Sequence, residues 1–186
     1  TKSCDYNKFS PRKGITLNPG VYCGGLSFGS GSFYMEPGTY IIDQGDFSVS
    51  AQAVITGDGV TIFMTDSSRT KSSDKTGTFV MSGGATVNLS APLSGSNALM
   101  LFVVDPLSSV SGAHVIGSAS GEMMGNIYIK KGSLSLAGNT NFKFGCVTIV
   151  AELIQFSGKF SGKGTCPYSS SSTTGNMAKS QVILTE

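Results

Sequence analysis

Short apolar segments recur along the chain, and most of them alternate with serine, threonine or another small polar residue, as in Leu26-Ser27-Phe28 and Phe47-Ser48-Val49. Alternation with a period of two is typical of β-strands that bury one face. Glycine or serine interrupts nearly every apolar run, so helix signals are poor. The pattern predicts an all-β protein. The predicted inward positions include Leu26, Phe28, Phe47, Val49, Leu134 and Leu136.

Turn residues repeat along the chain at an interval of about 20 residues. Pro19-Gly20-Val21-Tyr22 recurs as Pro37-Gly38-Thr39-Tyr40, and Gly57-Asp58-Gly59-Val60 opens a third unit. One such unit cannot bury its inward side chains alone, whereas units stacked about 4.8 Å apart form a continuous core. The repeat therefore predicts a parallel β-solenoid (β-helix) of about six turns, right-handed because crossover connections prefer that hand. A β-sandwich also needs short alternating strands and is the alternative.

The predicted domain organisation is one β-solenoid domain over residues 1–168. A polar insertion at 66–77 is expected to be a mobile loop, and an extended turn at 107–124 is expected to carry the single histidine, His114. Residues 169–180 are predicted to form a Ser/Thr-rich linker, and residues 181–186 are predicted to form a C-terminal strand.

The four cysteines form two pairs by spacing, Cys4 with Cys23 and Cys146 with Cys166, separated by 19 and 20 residues. In stacked turns, residues one turn apart lie about 4.8 Å from each other, which is within the range that a disulfide spans. The spacing predicts the disulfides Cys4–Cys23 and Cys146–Cys166, near the two ends of the stack. An even number of cysteines, without a CxxC motif, favours an oxidising, extracytoplasmic compartment.

The amino-acid composition excludes some classes of function. Charged residues make up 13% of the chain, against about 25% in an average protein, and a net charge of +2 is too small to predict nucleic-acid binding. No apolar run of 18 or more residues predicts a membrane span. Because the chain starts at Thr1 without a leader pattern, we expect a leader or membrane anchor upstream.

Several motifs resemble a known family. They are Leu17 to Leu26 (LNPGVYCGGL), Pro37 to Ile42, Thr56 to Phe63, Val87 to Pro92 and Val182 to Glu186. These segments resemble the C-terminal region of TadG-like proteins of the tight-adherence (Flp-type) pilus assembly system. The resemblance implies an envelope-exposed part of a pilus or adhesion system, with protein partners in the cell envelope or pilus. It implies no catalytic residues.

Acidic residues at turns are the remaining candidates for chemistry. Asp43, Asp46 and Asp58 are weak candidates for a metal site or for the clustered carboxylates of a glycan-cleaving β-helix. An aspartate at a turn more often accepts a backbone hydrogen bond, and His114 has no carboxylate or cysteine close by in sequence. We therefore predict no catalytic residue, no resident metal and no cofactor. The predicted function is a non-catalytic structural or adhesive module; the alternative is a glycan-binding or glycan-cleaving β-helix, with surface glycans as its partners.

Overall fold

The computed structural model describes residues 3–67, 76–107, 112–117, 119–137 and 142–157. Within these ranges all regular elements are β-strands, which confirms the all-β prediction. The strands in chain order are β1 (Tyr6–Asn7), β2 (Thr16–Leu17), β3 (Gly20–Cys23), β4 (Leu26–Phe28), β5 (Gly31–Met35), β6 (Gly38–Asp43), β7 (Phe47–Val49), β8 (Ala53–Gly57), β9 (Val60–Thr65), β10 (Phe79–Met81), β11 (Thr86–Ser90), β12 (Met100–Val104), β13 (Gly112–Ile116), β14 (Ser120–Met124), β15 (Asn126–Ala137), β16 (Phe142–Gly145) and β17 (Ile149–Ser157).

The strands pair in three ladders, and every pairing between described strands is parallel. The first ladder runs β1-β3-β6-β9-β12-β15-β17. The second runs β4-β7-β10-β13 and continues into the later residues of β15 and β17. The third is a separate six-stranded sheet, β2-β5-β8-β11-β14-β16. Parallel pairing throughout differs from the antiparallel sheets of a β-sandwich.

One core lies between the ladders, and side chains from all three contribute to it. Strands of the second ladder follow the predicted alternation, because β4 and β7 bury their two apolar ends and turn the central serine away. All six residues predicted to point inward are at most 1% exposed. Two ring contacts join the ladders across this core: Phe28 to Phe33 at 5.1 Å and Phe79 to Phe102 at 4.4 Å between centroids.

The N-terminal end of the first ladder is closed by aromatic rings and a disulfide. The ring of Tyr6 stacks on that of Tyr22 with a centroid distance of 4.4 Å, and Phe9 packs against the edge of Tyr22 at 5.9 Å. Cys4 and Cys23 are disulfide-bonded, with 5.7 Å between their Cα atoms, as their spacing predicts. Cys146 is also disulfide-bonded; its predicted partner, Cys166, lies outside the described residues.

The repeated Pro-Gly pair has a steric explanation. Gly38 has a φ of +144°, and a Cβ atom placed on it would lie 2.7 Å from both Cβ and Cγ of Pro19. Its amide donates to the carbonyl of Gly59, at 2.9 Å. The proline of one repeat therefore fills the space that a side chain would need at the glycine of the next.

The structure describes parts of the two predicted interruptions. Asp66 and Thr76, within the insertion predicted at 66–77, are 4% and 9% exposed, so the ends of this insertion belong to the packed structure; residues 68–75 lie outside the described ranges. The interval 107–124, predicted as an extended turn, contains the strands β13 and β14, each paired on both sides. Because this interval is rich in Gly, Ser and Ala, its sequence does not predict these strands, which are held mainly by backbone pairing. The predicted linker (169–180) and C-terminal strand (181–186) lie outside the described residues.

Candidate functional site

The three aspartates predicted as weak metal candidates lie at or beside strand ends and bind protein hydrogen-bond donors. Asp43, the last residue of β6, is 5% exposed. Its Oδ1 accepts from the amide of Ser67 at 2.8 Å, and its Oδ2 accepts from the Ser67 hydroxyl at 2.6 Å. The two donors satisfy both carboxylate oxygens of a buried group, which offsets the cost of its burial.

Asp46 and Asp58 are exposed and have similar contacts. Asp46 Oδ1 accepts from the amide of Thr78 at 2.7 Å and from its hydroxyl at 3.1 Å, 32 residues further on. Asp58 Oδ1 accepts from the Ser90 hydroxyl at 2.7 Å, also 32 residues away. Each aspartate therefore joins one turn of the chain to a later one.

Two further buried aspartates, Asp66 and Asp105, were not singled out from the sequence. Asp66 Oδ1 accepts from the side-chain amide of Gln44 at 2.8 Å. Asp105 Oδ2 accepts from the hydroxyl of Thr65 at 2.7 Å, and Thr65 is itself paired in register with Asp43. The signal was present in the sequence, because an aspartate directly follows or ends the apolar strands β6, β9 and β12.

Among the described residues, no group of three or more His, Cys, Asp or Glu side chains is arranged to hold a metal ion. His114 lies on β13 instead of in the predicted turn, and its backbone is in register with Leu134.

A shallow, open depression lies on the outer side of the third ladder, lined by Asn88, Gly121, Glu122 and Lys143. Glu122 is in register with Asn88 on one side and Lys143 on the other. Its amide donates to Asn88 Oδ1 at 3.0 Å. Glycan hydrolysis by the usual mechanism needs a pair of carboxyl groups about 5–9 Å apart, whereas this lining contributes one carboxylate.

The outward positions differ between ladders. The second ladder has Ser27, Ser48, Val80, Ser135 and Gln155 in successive outward positions, with Val115 of β13 at the same register. The third has Thr16, Tyr34, Thr56, Asn88, Glu122 and Lys143. The first has Val21, Ile41, Phe63, Val103, Tyr128 and Val150, which are apolar or aromatic throughout. We call this last set the apolar column.

Two buried tyrosines stay neutral and serve packing. Burial raises the pKa of Tyr22 and that of Tyr40, and neighbouring groups, Tyr6 for Tyr22 and Glu36 for Tyr40, raise each further. The Tyr22 hydroxyl donates to the carbonyl of Asn18 at 2.6 Å. The Tyr40 hydroxyl lies 2.8 Å from the carbonyl of Leu17 and 2.9 Å from that of Glu36. A phenol that is protonated and bonded in this way is not poised as a general base.

Over the described ranges, the structure has no helix with the length and hydropathy required to cross a bilayer. Comparisons with known proteins identify no family for this chain. No family model, no curated protein and no solved structure matches it.

Proposed function

We propose that this chain is a non-catalytic structural and adhesive module that works outside the cytoplasm, in a pilus assembly or surface-attachment system of the TadG-like type. In this proposal the three ladders are the faces of a right-handed parallel β-solenoid of about six turns. The observation that carries the proposal is the in-register parallel pairing from β1 to β17, in which each ladder presents a continuous outer face. Such a stack suits a stiff spacer that displays side chains at regular intervals.

The polar chemistry supports a structural role. Asp43, Asp46 and Asp58 each bind donors on a later turn, which is how carboxylates reinforce a stack of strands. The Cys4–Cys23 disulfide is compatible with an oxidising compartment. The family assignment itself depends on the sequence resemblance, above all on Pro19-Gly20-Val21-Tyr22-Cys23-Gly24-Gly25.

The proposal is tested in the organism that encodes the chain. Deletion of the gene is expected to reduce surface attachment or pilus number, counted by electron microscopy, and the wild-type gene should restore it. Cell fractionation with alkylation of free thiols should place the protein outside the cytoplasm with its cysteines oxidised. A cytoplasmic, reduced protein, or normal attachment and pili in the deletion strain, would contradict the proposal.

A second candidate function is glycan binding or cleavage, favoured by the depression at Asn88, Glu122 and Lys143. Incubation with a panel of envelope polysaccharides, followed by measurement of reducing ends and of binding, tests it. Cleavage or binding that is lost in Glu122→Gln and kept in Asp58→Asn would favour this second function over the structural one.

A further inference from the structure

The first ladder has the sequence of a sheet that is covered on both sides. Its strands contain consecutive apolar residues, such as Tyr40-Ile41-Ile42 in β6 and Phe102-Val103-Val104 in β12. The second and third ladders contain alternating strands, such as Phe47-Ser48-Val49 and Val87-Asn88-Leu89, beside a few strands with an apolar outward residue, such as Val80 in β10. Near-continuous apolar strands are typical of parallel sheets buried on both faces, whereas alternating strands leave one face in water.

The inner side of this ladder is more deeply buried than its outer side. In β6 the residues on either side of the apolar column, Tyr40 and Ile42, belong to the core and have no exposed surface. Val21, at the N-terminal end of the apolar column, is 9% exposed. Ile41, Phe63, Val103 and Tyr128 are half-buried, and Val150 is 46% exposed. The apolar column is continuous, because each of its residues is the register partner of the next.

The ends of β12 add apolar surface beside the apolar column. Leu93, in the loop before β12, is 65% exposed, and Leu107, three residues after its end, is 67% exposed. The same loop reaches the start of β6, where the side-chain amide of Asn97 donates to the hydroxyl of Thr39 at 2.9 Å. The loop therefore borders the face at one end of its strands.

We infer that the apolar column is a self-association surface, and that its occupant is the same face of a second copy of this chain. Two flat sheets can pack face to face at about 10 Å with their side chains interdigitated. A two-fold interface sets a surface against itself, so a patch with net charge would repel its own copy. The apolar column contains no charged side chain, so its own residues cause no such repulsion.

The area predicts a weak dimer. Six strands spaced about 4.8 Å apart, each contributing about four residues, give roughly 400 Å² per copy. The pair would bury about 800 Å², less than the roughly 1,200–2,000 Å² of a stable interface. Dimerisation should therefore appear in a concentration series, with monomer dominant when the protein is dilute.

Sedimentation velocity over a concentration series tests the inference. Wild type is expected to shift from monomer to dimer, and Phe63→Glu and Val103→Lys should each weaken association by at least about tenfold, because each places a charge in a desolvated interface. Ser48→Lys is the matched control: it is also outward and half-buried, on the second ladder, and should leave association unchanged. A wild type that stays monomeric throughout, or equal weakening by Ser48→Lys, would overturn the inference.

A measurement on unmodified protein covers the case in which the variants do not fold. Hydroxyl-radical oxidation of Phe63 and Tyr128 should fall as concentration rises, while oxidation of Tyr34, outward on the third ladder, should stay constant. Protection of Tyr34 alone would overturn the inference. So would flotation of a monomeric wild type with neutral phosphatidylcholine vesicles, lost in Phe63→Glu, since the occupant would then be lipid.

Discussion

Ser67 donates two hydrogen bonds to the carboxylate of Asp43, one from its amide and one from its hydroxyl, across 24 residues of sequence. The acceptor ends β6, and the donor follows β9, the neighbour of β6 in the first ladder. The pair shows how the aspartates at strand ends are used: they fasten one turn of the chain to the next.

Asp43→Asn should lower the free energy of unfolding by about 1–3 kcal/mol. The asparagine amide nitrogen would replace a carboxylate oxygen that accepts a hydrogen bond from Ser67, so that two donors would face each other. Urea denaturation measures the loss. Asp58→Asn is the control, since Asp58 is exposed and its bond to Ser90 lies at the surface, so a change below about 0.5 kcal/mol is expected. If added Ca²⁺ raised the stability of wild type but not of Asp43→Asn, Asp43 would instead be a metal ligand.

The double variant Cys4→Ser, Cys23→Ser should be about 3 kcal/mol less stable than wild type, because the disulfide closes a loop of about 20 residues and limits the unfolded chain. The denaturant midpoint under non-reducing conditions measures the effect. Replacing both cysteines avoids leaving a reactive thiol. An unchanged midpoint would show that the aromatic packing of Tyr6 and Phe9 on Tyr22 closes this end without the covalent bond.

Ionisation of the buried tyrosines should lower stability as the pH rises above about 10. Burial raises the pKa of Tyr40 in the folded protein, whereas in the unfolded chain it titrates near 10. Above that value the unfolded state binds fewer protons than the folded state, so the free energy of unfolding decreases with pH.

Tyr40→Phe removes the Tyr40 contribution. It should reduce stability at pH 8, because the hydroxyl contacts to the Leu17 and Glu36 carbonyls are lost. It should also make the decline between pH 10 and 11 less steep, and Tyr22, whose pKa is also raised, should still contribute to the decline that remains. Urea denaturation at each pH measures both effects. Tyr34→Phe, at a position 39% exposed, should leave stability at pH 8 unchanged. A decline in Tyr40→Phe as steep as in wild type would contradict the assignment.

Gly38→Ala should cost about 1–3 kcal/mol, since it combines a φ of +144° with a Cβ placed 2.7 Å from the ring of Pro19. Gly29→Ala is the matched control, because a Cβ at Gly29 meets no atom within 4 Å. Thermal unfolding compares the two variants. Equal melting temperatures would mean that the Pro-Gly repeat reflects turn preference and not contact between successive turns.

Much of the fold could be predicted from the sequence because its inner side chains are large and regularly spaced. Phe28 and Phe47 alternate with serine, and Cys4 and Cys23 are separated by about the length of one repeat. The strands β13 and β14 were not predicted because their apolar residues, Val115-Ile116 and Met123-Met124, are adjacent and do not alternate with polar ones. Backbone pairing defines these strands.

The candidate site was less predictable than the fold. The sequence favours a turn role for Asp43, Asp46 and Asp58, but it does not identify their partners, Ser67, Thr78 and Ser90. These lie 24 or 32 residues away, and the polar interval 66–77 falls between the two residues in both pairs separated by 32. The burial of Asp66 could not be predicted from the sequence either, because the polar residues around it are typical of an exposed loop. The apolar column is visible only when six strands are set side by side.

Backbone hydrogen bonds in a ladder run along the direction in which its strands stack. A pull between the first and last strands of the first ladder would load its strand pairs in series, and the pair with the shortest register is expected to separate first. The shortest register in this ladder is that of β1 on β3, where Tyr6 and Asn7 are paired. The Cys4–Cys23 bond bridges this same pair, so tension that would peel off the chain's N-terminal end is borne there by a covalent link.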